Sequence, residues 1–462
     1  MKFSIMGKSG ETTRLVGRLF HDAGESIYLV GGAVRDLLAG GPPQDLDFTT
    51  SAPAPKMENI VRRAAKAVYD KSQAKGYGTR GVLLKDGTEV EITPFRRAGN
   101  PAGGEPATLE EDLRSRDFTI NAVALNAWPA DFGEPADPFG GIGDFNARVL
   151  RTPAPPLETF NDDPLRVLRA ARFTAKYSMA PAAGLADAIT AAVREHGWQA
   201  RVAPERAREE IVKMLMLEPP SPAFRLLLEW GLLDCWLPEV AALDRLKPEA
   251  GADHKDHFEH TMVVLDKAAA AGPADPAFRF AALLHDIGKP AARRLENGKY
   301  SFPDHDKTGA GLAREVCGRL RWSNKDTDLV ADLVLKHNRL SSYSPEWTDS
   351  AVRRALHDLG GVYREVIALS RSDISSASPE KVEQRLARVE HFLARVEALE
   401  KEAVLNPKPP LDGNEVMRLL SLKPGPGVGR VLDCLKEKII SGELDPRDAE
   451  TAREIVLSRT WE

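Results

Sequence analysis

The first 150 residues are a succession of short apolar runs, each ended by glycine or by a change to polar residues. Residues 26–30 form one such run, which predicts a strand that ends at Gly31 and Gly32. Helical spacing follows over 33–38. Residues 45–49 alternate between polar and apolar types, which is typical of a strand with one buried face. The predicted order is therefore strand, glycine turn, helix, strand.

Residues from 55 to about 68 carry the spacing of a further helix. The runs 81–84 and 89–92 then flank the pair Asp86-Gly87. Such a pair between two strand-like runs is a strong hairpin signal. We therefore predict a mixed α/β region that extends to about residue 150.

From about residue 160, Glu, Arg, Ala and Leu recur at helical spacing nearly to the end of the chain. Clusters of proline and glycine interrupt this pattern near 218–222, 248–253, 272–276 and 406–413. The pattern predicts the α+β class, with an N-terminal mixed sheet followed by helices alone. The predicted domains are a mixed-sheet head, a helical neck and body, a second helical domain and a helical tail, at 1–150, 151–248, 249–400 and 401–462.

Composition narrows the function classes only slightly. The net charge of −5 neither supports nor excludes a nucleic-acid substrate, because binding depends on where the basic residues lie. The three cysteines are far apart, which argues against a disulfide scaffold and suits a reducing cytoplasm. We find no apolar run long enough to span a bilayer, so a cytoplasmic protein without a membrane partner is expected.

The aspartates at 45 and 47 are the first candidates for catalysis. At positions i and i+2 of a strand, Asp45 and Asp47 would point to the same face. Adjacent carboxylates repel each other, and Mg²⁺ prefers such hard oxygen ligands. Two Mg²⁺ ions about 3.5–4 Å apart activate an attacking hydroxyl and neutralise a leaving pyrophosphate. Glu91 on the hairpin is either a third carboxylate or an ordinary surface residue.

The glycine turn before the first short helix suggests a phosphate site. Backbone N–H groups of Gly31 and Gly32 can approach a phosphate at a helix N-terminus, and Arg35 would add a pairing charge. Alone, a Gly-Gly pair is usually a turn, and Asp-x-Asp is usually a solvated strand edge. Their conjunction in one strand–turn–helix–strand unit is far more specific.

These residues resemble the first motif of the family of class II tRNA nucleotidyltransferases and bacterial poly(A) polymerases. The segment 113–122 is similar to the second motif, in which Arg116, Asp117 and Asn121 match positions that contact ribose and triphosphate. Residues 137–144, 162–169 and 201–209 resemble the third, fourth and fifth motifs. The resemblance implies a nucleotidyltransferase head that uses Mg²⁺.

The fourth motif suggests how a base is chosen. We predict that Asp163 and Arg166, at i and i+3, share a helix face and present a Watson–Crick-like edge to cytosine or adenine. The alternative is a common surface salt bridge. The resemblance also places Arg169 and Arg206 in the nucleotide-binding set. Asp162 stands where the family usually has Glu.

The segment between Arg97 and Thr108 is short and rich in Gly, Pro and Ala. Many CCA-adding members have a longer flexible loop here that is linked to the switch from C to A addition, and relatives that add only CC have a comparably short one. The resemblance therefore puts A addition in question. The alternative is ordinary variation in loop length.

Histidine is concentrated in the second helical domain, where the sequence resembles the HD phosphohydrolase superfamily. Imidazole and carboxylate groups suit a divalent transition metal that activates water. The resemblance implies a metal site at His260, His285, Asp286 and Asp373, with His305 and His337 at positions used for a second metal. The alternative is that these residues only cap and cross-link helices.

Together these motifs predict template-independent addition of CCA, or of CC only, to the 3′ end of tRNA. CTP and ATP would be the substrates, pyrophosphate would be released, and the HD domain would hydrolyse phosphate esters. Poly(A) synthesis is one alternative. Another is an HD phosphohydrolase whose head mainly binds RNA.

Overall fold

The computed structural model describes residues 3–71, 78–97, 107–128, 130–195, 197–246, 256–296, 299–374, 378–401, 408–440, 442–459 and 461. Contacts divide the chain into two compact units. Unit 1 comprises residues 1–210 and 222–235, and unit 2 comprises 211–221 and 236–462. The division into four domains stays a prediction. The predicted short loop at 98–106 lies outside the described residues.

Unit 1 is built on a seven-stranded mixed sheet in the order β3-β4-β5-β2-β1-β6-β7. The strands are β1 Ile27–Val30, β2 Asp47–Thr50, β3 Ala65–Asp70, β4 Arg80–Leu84, β5 Glu89–Pro94, β6 Ala124–Asn126 and β7 Pro135–Ala136. β2 and β5 are parallel, with Asp47 opposite Glu91, and the sheet's other described pairs are antiparallel. The parallel pair thus sets two acidic positions side by side.

The helices of the sheet region are α1 Gly7–Asp22, α2 Gly32–Leu38, α3 Ala54–Val61, α4 Leu109–Arg114 and α5 Gly141–Ala147. Apolar side chains from α1, α3 and the strands form one core, which includes Phe20, Leu29, Phe48, Met57 and Ile92. Thr108 and Glu111 form a capping box that fixes the start of α4. This cap orients the turn that leads to the second motif.

The predicted strand 26–30, helix 33–38 and hairpin at Asp86-Gly87 are confirmed. The predicted helix over 55–68 is wrong in its second half, because α3 ends at Val61 and β3 follows. β3 pairs with β4 at the edge of the sheet, and its side chains are largely exposed. Backbone pairing with a neighbouring strand decides the conformation here, which local spacing does not report.

The rest of unit 1 is mainly helical. Its helices are α6 Pro156–Asp162, α7 Arg166–Tyr177, α8 Leu185–Arg194, α9 Pro204–Leu215, α10 Ser221–Glu229 and α11 Leu232–Trp236, of which α9 and α11 end in unit 2. One short parallel pair, β8 Val149–Leu150 with β9 Ala180–Pro181, was not predicted. The predicted α+β class, with an N-terminal mixed sheet followed mostly by helices, is confirmed.

Unit 2 is helical apart from one small ribbon. Its further helices are α12 Pro238–Asp244, α13 His257–Ala271, α14 Pro276–Leu284, α15 Lys289–Ala292, α16 His305–Arg319, α17 Asn324–Lys336, α18 Asp349–Leu359, α19 Tyr363–Asp373, α20 Pro379–Lys401, α21 Gly413–Leu420, α22 Pro426–Ile440 and α23 Ala449–Leu457. The ribbon pairs β10 Arg294–Glu296 with β11 Lys299–Ser301. Within the described ranges, no helix has the length and apolarity needed to cross a membrane.

Candidate active sites

Asp45 and Asp47 lie at the start of β2, beside the parallel partner β5. The strand begins at Asp47, two residues later than predicted, and ends at Thr50, one residue later than predicted, so Asp45 precedes it. Leu46 between them is buried, and its carbonyl accepts a 3.0 Å hydrogen bond from the backbone N–H of Glu91. The alternation of burial therefore extends to Asp45, which is exposed.

Asp47 has a pKa raised to about 6. Burial is the largest cause, and the charges of Glu91 and Asp45 raise it further, whereas those of Arg116 and Arg35 lower it. Three carboxylates thus face one another with insufficient positive charge nearby. A divalent cation supplies the missing charge, and these hard oxygen donors fit Mg²⁺.

Glu91 lies opposite Asp47 in the register of the parallel pair. Its side chain is 44% exposed and accepts from Nζ of Lys71 at 2.6 Å. Lys71 also binds Glu89 at 2.7 Å. The placement agrees with a third carboxylate, but a metal at Glu91 would have to compete with Lys71. Its role as a ligand stays a prediction.

Gly31 connects β1 to α2 with φ +69°, a conformation that favours glycine. A Cβ at Gly31 would lie 3.4 Å from Oδ2 of Asp47 and 3.9 Å from Nη1 of Arg116. The missing side chain therefore leaves the space beside the carboxylate open to a ligand. Gly32 begins α2, as the predicted phosphate turn requires.

Arg116 is held beside this opening by a carboxylate that sequence reasoning missed. Asp112 is fully buried and accepts from Nη2 of Arg116 at 2.8 Å. Its other oxygen accepts from the backbone N–H and from Nε of Arg96, both at 3.2 Å. Asp112 therefore fixes two arginines at once. The spacing of Asp112 and Arg116, one helical turn, was the signal for the first of these pairs.

A continuous chain of polar contacts joins α2 to α7. Arg35 donates to Oδ1 of Asn121, and Nδ2 of Asn121 donates to Oδ1 of Asp117 at 2.7 Å. Oδ2 of Asp117 accepts from Nε of Arg169 at 2.7 Å. Burial would raise the pKa of Asp117, but the charge of Arg169 and the hydrogen bond from Asn121 outweigh it and hold the pKa well below its usual value.

Asp163 and Arg166 do not share a helix face, so that prediction is wrong. α6 ends at Asp162 and α7 begins at Arg166, while Asp163 has extended backbone between them. Both oxygens of Asp163 accept from Arg206, at 3.2 and 2.8 Å. Arg166 instead donates to the carbonyl of Ser115 at 2.7 Å and pairs with Asp162 at 2.9 Å. A helix break separates the two predicted base-selecting residues.

A cavity of about 230 Å³ opens beside Arg166. Ser115, Thr159 and Asp162 also line it. The pairing of Arg166 with a backbone carbonyl and with Asp162 leaves its guanidinium at the wall of this cavity. Of the fourth motif, Asp162 from α6 and Arg166 from α7 therefore line this cavity, and Asp163 is not part of its wall.

The second missed feature is a buried ion pair between α7 and α9. Nε of Arg172 donates to Oε2 of Glu210 at 2.5 Å, and Oε1 of Glu210 lies 3.4 Å from Nη1 of Arg169. Burial lowers the pKa of Arg172. Arginine occupies positions 166, 169 and 172 of α7, which was the available sequence signal for a basic helix face.

Unit 2 brings four histidines and two aspartates together in two groups of ligand atoms. Within each group the atoms lie within 4.8 Å of one another. The groups are His260, His285 and Asp373, and Asp286, His305 and His337. All six predicted residues therefore come together, although they belong to five separate helices or helix ends.

Asp286 lies where the two groups meet. Its Oδ2 is 3.2 Å from Nε2 of His285, and its Oδ1 is 3.6 Å from Nε2 of His305 and 3.9 Å from that of His337. Nζ of Lys289 also contacts Oδ2 at 2.6 Å. Lys289 was not among the predicted site residues. Because Asp286 faces both groups, its carboxylate could bind a metal in either group.

The histidine rings are oriented by backbone carbonyls. Nδ1 donates to the carbonyl three residues earlier at 2.9, 2.9 and 2.7 Å, in His285 to Ala282, in His305 to Phe302 and in His337 to Val334. A carbonyl only accepts, so Nδ1 carries the proton and Nε2 offers its lone pair to the site. Nε2 of His305 is buried and has no hydrogen-bond partner in the described part of the chain.

The electrostatics of this cluster also fit a cation. Burial lowers the pKa of His285, but the charges of Asp286 and Asp373 raise it more, to about 10. In turn, the charge of His285 holds the pKa of Asp286 well below its usual range, against the effect of burial. Hydrogen bonds with His260 and His285 do the same for the pKa of Asp373. A divalent metal would replace the proton on His285 as the partner of these carboxylates. The donor set suits a transition metal.

The geometry can now be compared with known proteins. Residues 27–151 match the family described as Poly A polymerase head domain, and 257–378 match the HD domain. Residues 190–243 match a probable RNA and SrmB-binding site of polymerase A. These families span the carboxylate cleft and the histidine cluster.

Curated relatives cover most of the chain. It is 35% identical over 432 residues to an A-adding tRNA nucleotidyltransferase of Deinococcus radiodurans, with 91% of this chain and 93% of that protein covered. It is 32% identical to a CC-adding tRNA nucleotidyltransferase of Thermus thermophilus, with 94% and 93% covered. It is 36% identical to a Multifunctional CCA protein of Chromobacterium violaceum, with 73% and 80% covered.

Solved structures agree with the fold. A Bacillus stearothermophilus CCA-adding enzyme in complex with CTP has a TM-score of 0.70 at 24% identity and covers 98% of each chain. A Thermotoga maritima CCA-adding enzyme complexed with tRNA has a TM-score of 0.61 at 21% identity, with 99% of each chain covered. At these identities the likeness supports the fold alone.

Proposed function

Because this chain belongs to the family of tRNA nucleotidyltransferases and poly(A) polymerases, we propose that it adds nucleotides to the 3′ end of tRNA at the cleft around Asp47. CTP and ATP are the substrates, tRNA is the partner, and pyrophosphate is released. The main support for this proposal is the group of three carboxylates, Asp45, Asp47 and Glu91, beside the glycine turn at Gly31.

Both domain families use divalent metals. We assign Mg²⁺ to Asp45 and Asp47 in the head, because their oxygens are hard donors with too little positive charge nearby. When bound, such ions lower the pKa of the attacking hydroxyl and neutralise the leaving pyrophosphate. Asp45 and Asp47 hold the cations and so keep the reacting phosphate in place.

The other residues of the cleft bind and orient the triphosphate. Backbone N–H groups at Gly31 and Gly32 face the phosphates, and Arg116, fixed by Asp112, adds a charge-assisted contact. The RNA 3′-hydroxyl oxygen attacks the α-phosphorus and its proton passes to water. The bond between the α-phosphorus and the oxygen that bridges to the β-phosphate breaks, so that pyrophosphate leaves. Arg35 donates to Asn121, which in turn donates to Asp117, and these two contacts hold the turn.

We assign base selection to Asp163, Arg166 and Arg206. In the structure both oxygens of Asp163 are bound to Arg206. The exocyclic amine of cytosine or adenine would share the carboxylate oxygens of Asp163 with Arg206. Arg206 therefore sets how readily Asp163 reads a base, and Arg169 supports α7 through Asp117 and Glu210.

The three relatives carry different names for the nucleotides that they add. We propose that this chain adds CCA, or CC only, and the short segment 98–106 favours CC only. The test is to incubate tRNA that lacks its terminal CCA, and tRNA that ends in CC, with each labelled triphosphate. C incorporated into the first without A on the second is the expected result. A on the second without C on the first would instead give the A-adding activity, and both would give CCA addition.

Asp47→Asn tests the assignment of the cleft. The variant removes a proposed metal ligand with little change in size, so we expect nucleotide addition to fall at least about a hundredfold. Asp22→Asn, at an exposed position in the same region of the chain, is the control and should keep full activity. Extension by Asp47→Asn at the wild-type rate would contradict the assignment. Efficient A tails on unrelated RNA would favour poly(A) synthesis.

The histidine cluster supports a second function. We propose that the HD domain hydrolyses phosphate esters with a divalent transition metal held by His260, His285, Asp286 and Asp373, and a second at His305 and His337. His285→Gln should abolish hydrolysis of p-nitrophenyl phosphate and leave nucleotide addition intact. If wild-type protein hydrolysed the ester but added no nucleotides, this outcome would support the alternative function, a hydrolase whose head mainly binds RNA.

The predicted domains complete the proposal. Residues 1–150 form the nucleotidyltransferase head, 151–248 the neck and body that read the base and bind RNA, 249–400 the HD domain and 401–462 the tail. Limited proteolysis tests the boundaries. Cleavage concentrated near 248 and 401 is expected, and cleavage inside α13 or α17 would contradict them.

A further inference from the structure

A cavity of about 360 Å³ opens beside the HD cluster in unit 2. His337 and Asp373, both from the cluster, form one part of its wall. Arg385 and Arg388, both from α20, form another part. A molecule in this cavity would therefore touch metal-ligand positions and two guanidinium groups at once.

The two arginines stand on one face of α20, because positions i and i+3 are neighbours on a helix. Val389, also at the cavity wall, is buried and anchors this stretch of the helix. Elsewhere on α20, Arg395 pairs with Asp349. Within the described residues no such carboxylate pairs with Arg385 or Arg388, so both charges remain available to a ligand.

The rest of the cavity wall combines polar and apolar side chains, which suits a phosphate ester. Asn338 and Ser341 add groups that donate and accept hydrogen bonds, while Leu340 and Ile374 add apolar surface. The volume lies near the lower end of the range for small-molecule sites, about 300–1,000 Å³. It accommodates a ligand of about nucleotide size and excludes a folded RNA.

We propose that Arg385 and Arg388 bind the phosphate group of a small phosphate ester, no larger than a nucleotide, for the HD cluster. Two guanidinium groups bind a phosphate through paired, charge-assisted hydrogen bonds. The arginines lie beside the cluster and are not themselves ligands in either group. They are therefore specificity residues, and this inference rests on the proposed hydrolase function of the HD domain.

The experiment titrates inorganic phosphate into the full-length Mn²⁺-loaded protein by calorimetry. Loss of one charged contact predicts that Arg385→Gln and Arg388→Gln each weaken phosphate binding about tenfold. The double variant should bind weaker still, and Arg388→Lys should recover part of the affinity. The matched control is Arg354→Gln, an exposed arginine on α18 outside the cavity wall, which should bind like wild type.

Metal content is measured on each variant by elemental analysis and should not change. The inference is overturned if the double variant binds phosphate as wild type does, or if Arg354→Gln is equally weakened. Tight binding of a 3′-phosphorylated RNA together with no binding of a nucleoside monophosphate would also overturn the assignment to a small ester.

The result is distinguishable from failure of the hydrolase function. Phosphate binding that depends on both arginines, in a protein that hydrolyses no ester, would retain the binding site and reject the hydrolase. Hydrolysis that depends on His285, with the same KM in wild type and double variant, would retain the hydrolase and reject the role of Arg385 and Arg388.

Discussion

Asp117 is the residue of unit 1 whose charge depends most on its neighbours. It is buried, yet it remains deprotonated because Asn121 and Arg169 contact its two oxygens. Removing one partner of a buried ion pair leaves the other charge uncompensated. Of its two carboxylate partners, Arg169 would then retain Glu210 at 3.4 Å.

We therefore expect Asp117→Asn to lower the free energy of unfolding by about 3–5 kcal/mol at pH 7. Urea denaturation of the full chain measures it. Asp22→Asn, at an exposed position, should change it by no more than about 0.5 kcal/mol. A loss below about 1 kcal/mol for Asp117→Asn would mean that the ion pair is dispensable.

The same residue predicts an acid dependence. Its pKa is lower in the folded protein than the unfolded value of about 3.9, so its contribution is complete above that pH. As the pH falls below about 4, the unfolded chain takes up a proton first and the contribution is lost. The difference in stability between wild type and Asp117→Asn should shrink from pH 7 to pH 3. A constant difference would exclude this account.

Among individual residues, the sequence identified those candidate site residues that lie close together in one short segment. Gly31, Arg35 and Asp47 fall in a single strand–turn–helix–strand unit, so their order alone indicated a site. Glu210 was missed because its partner Arg172 is 38 positions away on another helix. Such long-range pairing depends on how α7 packs against α9, which local spacing does not report.

At the scale of the elements, Gly288, the N-cap residue of α15, lies directly against the start of α16. A Cβ there would lie 2.0 Å from the carbonyl oxygen of His305 and 2.6 Å from the backbone nitrogen of Gly309. Both of these neighbours are backbone atoms, so no flexible side chain could move aside to make room for a methyl group. The missing side chain therefore allows the start of α16, which carries His305, to approach Asp286.

Gly288→Ala should push α16 away and reduce both metal content and stability, the latter by about 1–3 kcal/mol. Elemental analysis and thermal unfolding measure the two effects. Gly311→Ala is the matched control, because it lies in α16 with open space around it. Alanine is the better helix former, by about 0.8–1 kcal/mol, so this variant should be as stable as wild type or more so. Equal behaviour of the two would show that the crossing tolerates a methyl group.

Element boundaries explain the two wrong predictions. The helical spacing over 55–68 continues past Val61, but β4 offers a strand partner and the chain becomes β3. Asp163 and Arg166 have the spacing of one helix, but the chain breaks between α6 and α7. Spacing describes what a continuous helix would do, and it does not report where the helix ends.

For the whole molecule, each compact unit carries one candidate metal site. The carboxylates at 45, 47 and 91 belong to unit 1, and the six HD residues belong to unit 2. A metal that binds only the folded state stabilises the unit that holds it. The two units should therefore respond separately to metal removal.

Calorimetry tests this separation. In a buffer without Mg²⁺ we expect two unfolding transitions, of which only the one for unit 2 moves when EDTA removes metal from the HD cluster. With metal at a hundredfold excess over its Kd, the lost stabilisation is about 2.7 kcal/mol. His285→Gln should abolish the shift, and Asp47→Asn should leave it intact. Equal displacement of both transitions by EDTA would contradict the assignment.

The contact between Asp117 and Arg169 limits how this chain can be cut or recombined. Arg166 and Arg169 on α7 bind Ser115 and Asp117 of the sheet region. A chain that stopped at residue 150 would lose the arginine partner of Asp117 and expose its carboxylate to water. A head grafted onto a foreign helical body would bury that charge without its partner. Anyone who exchanges parts between such enzymes should therefore transfer the first arginine-rich helix together with the sheet.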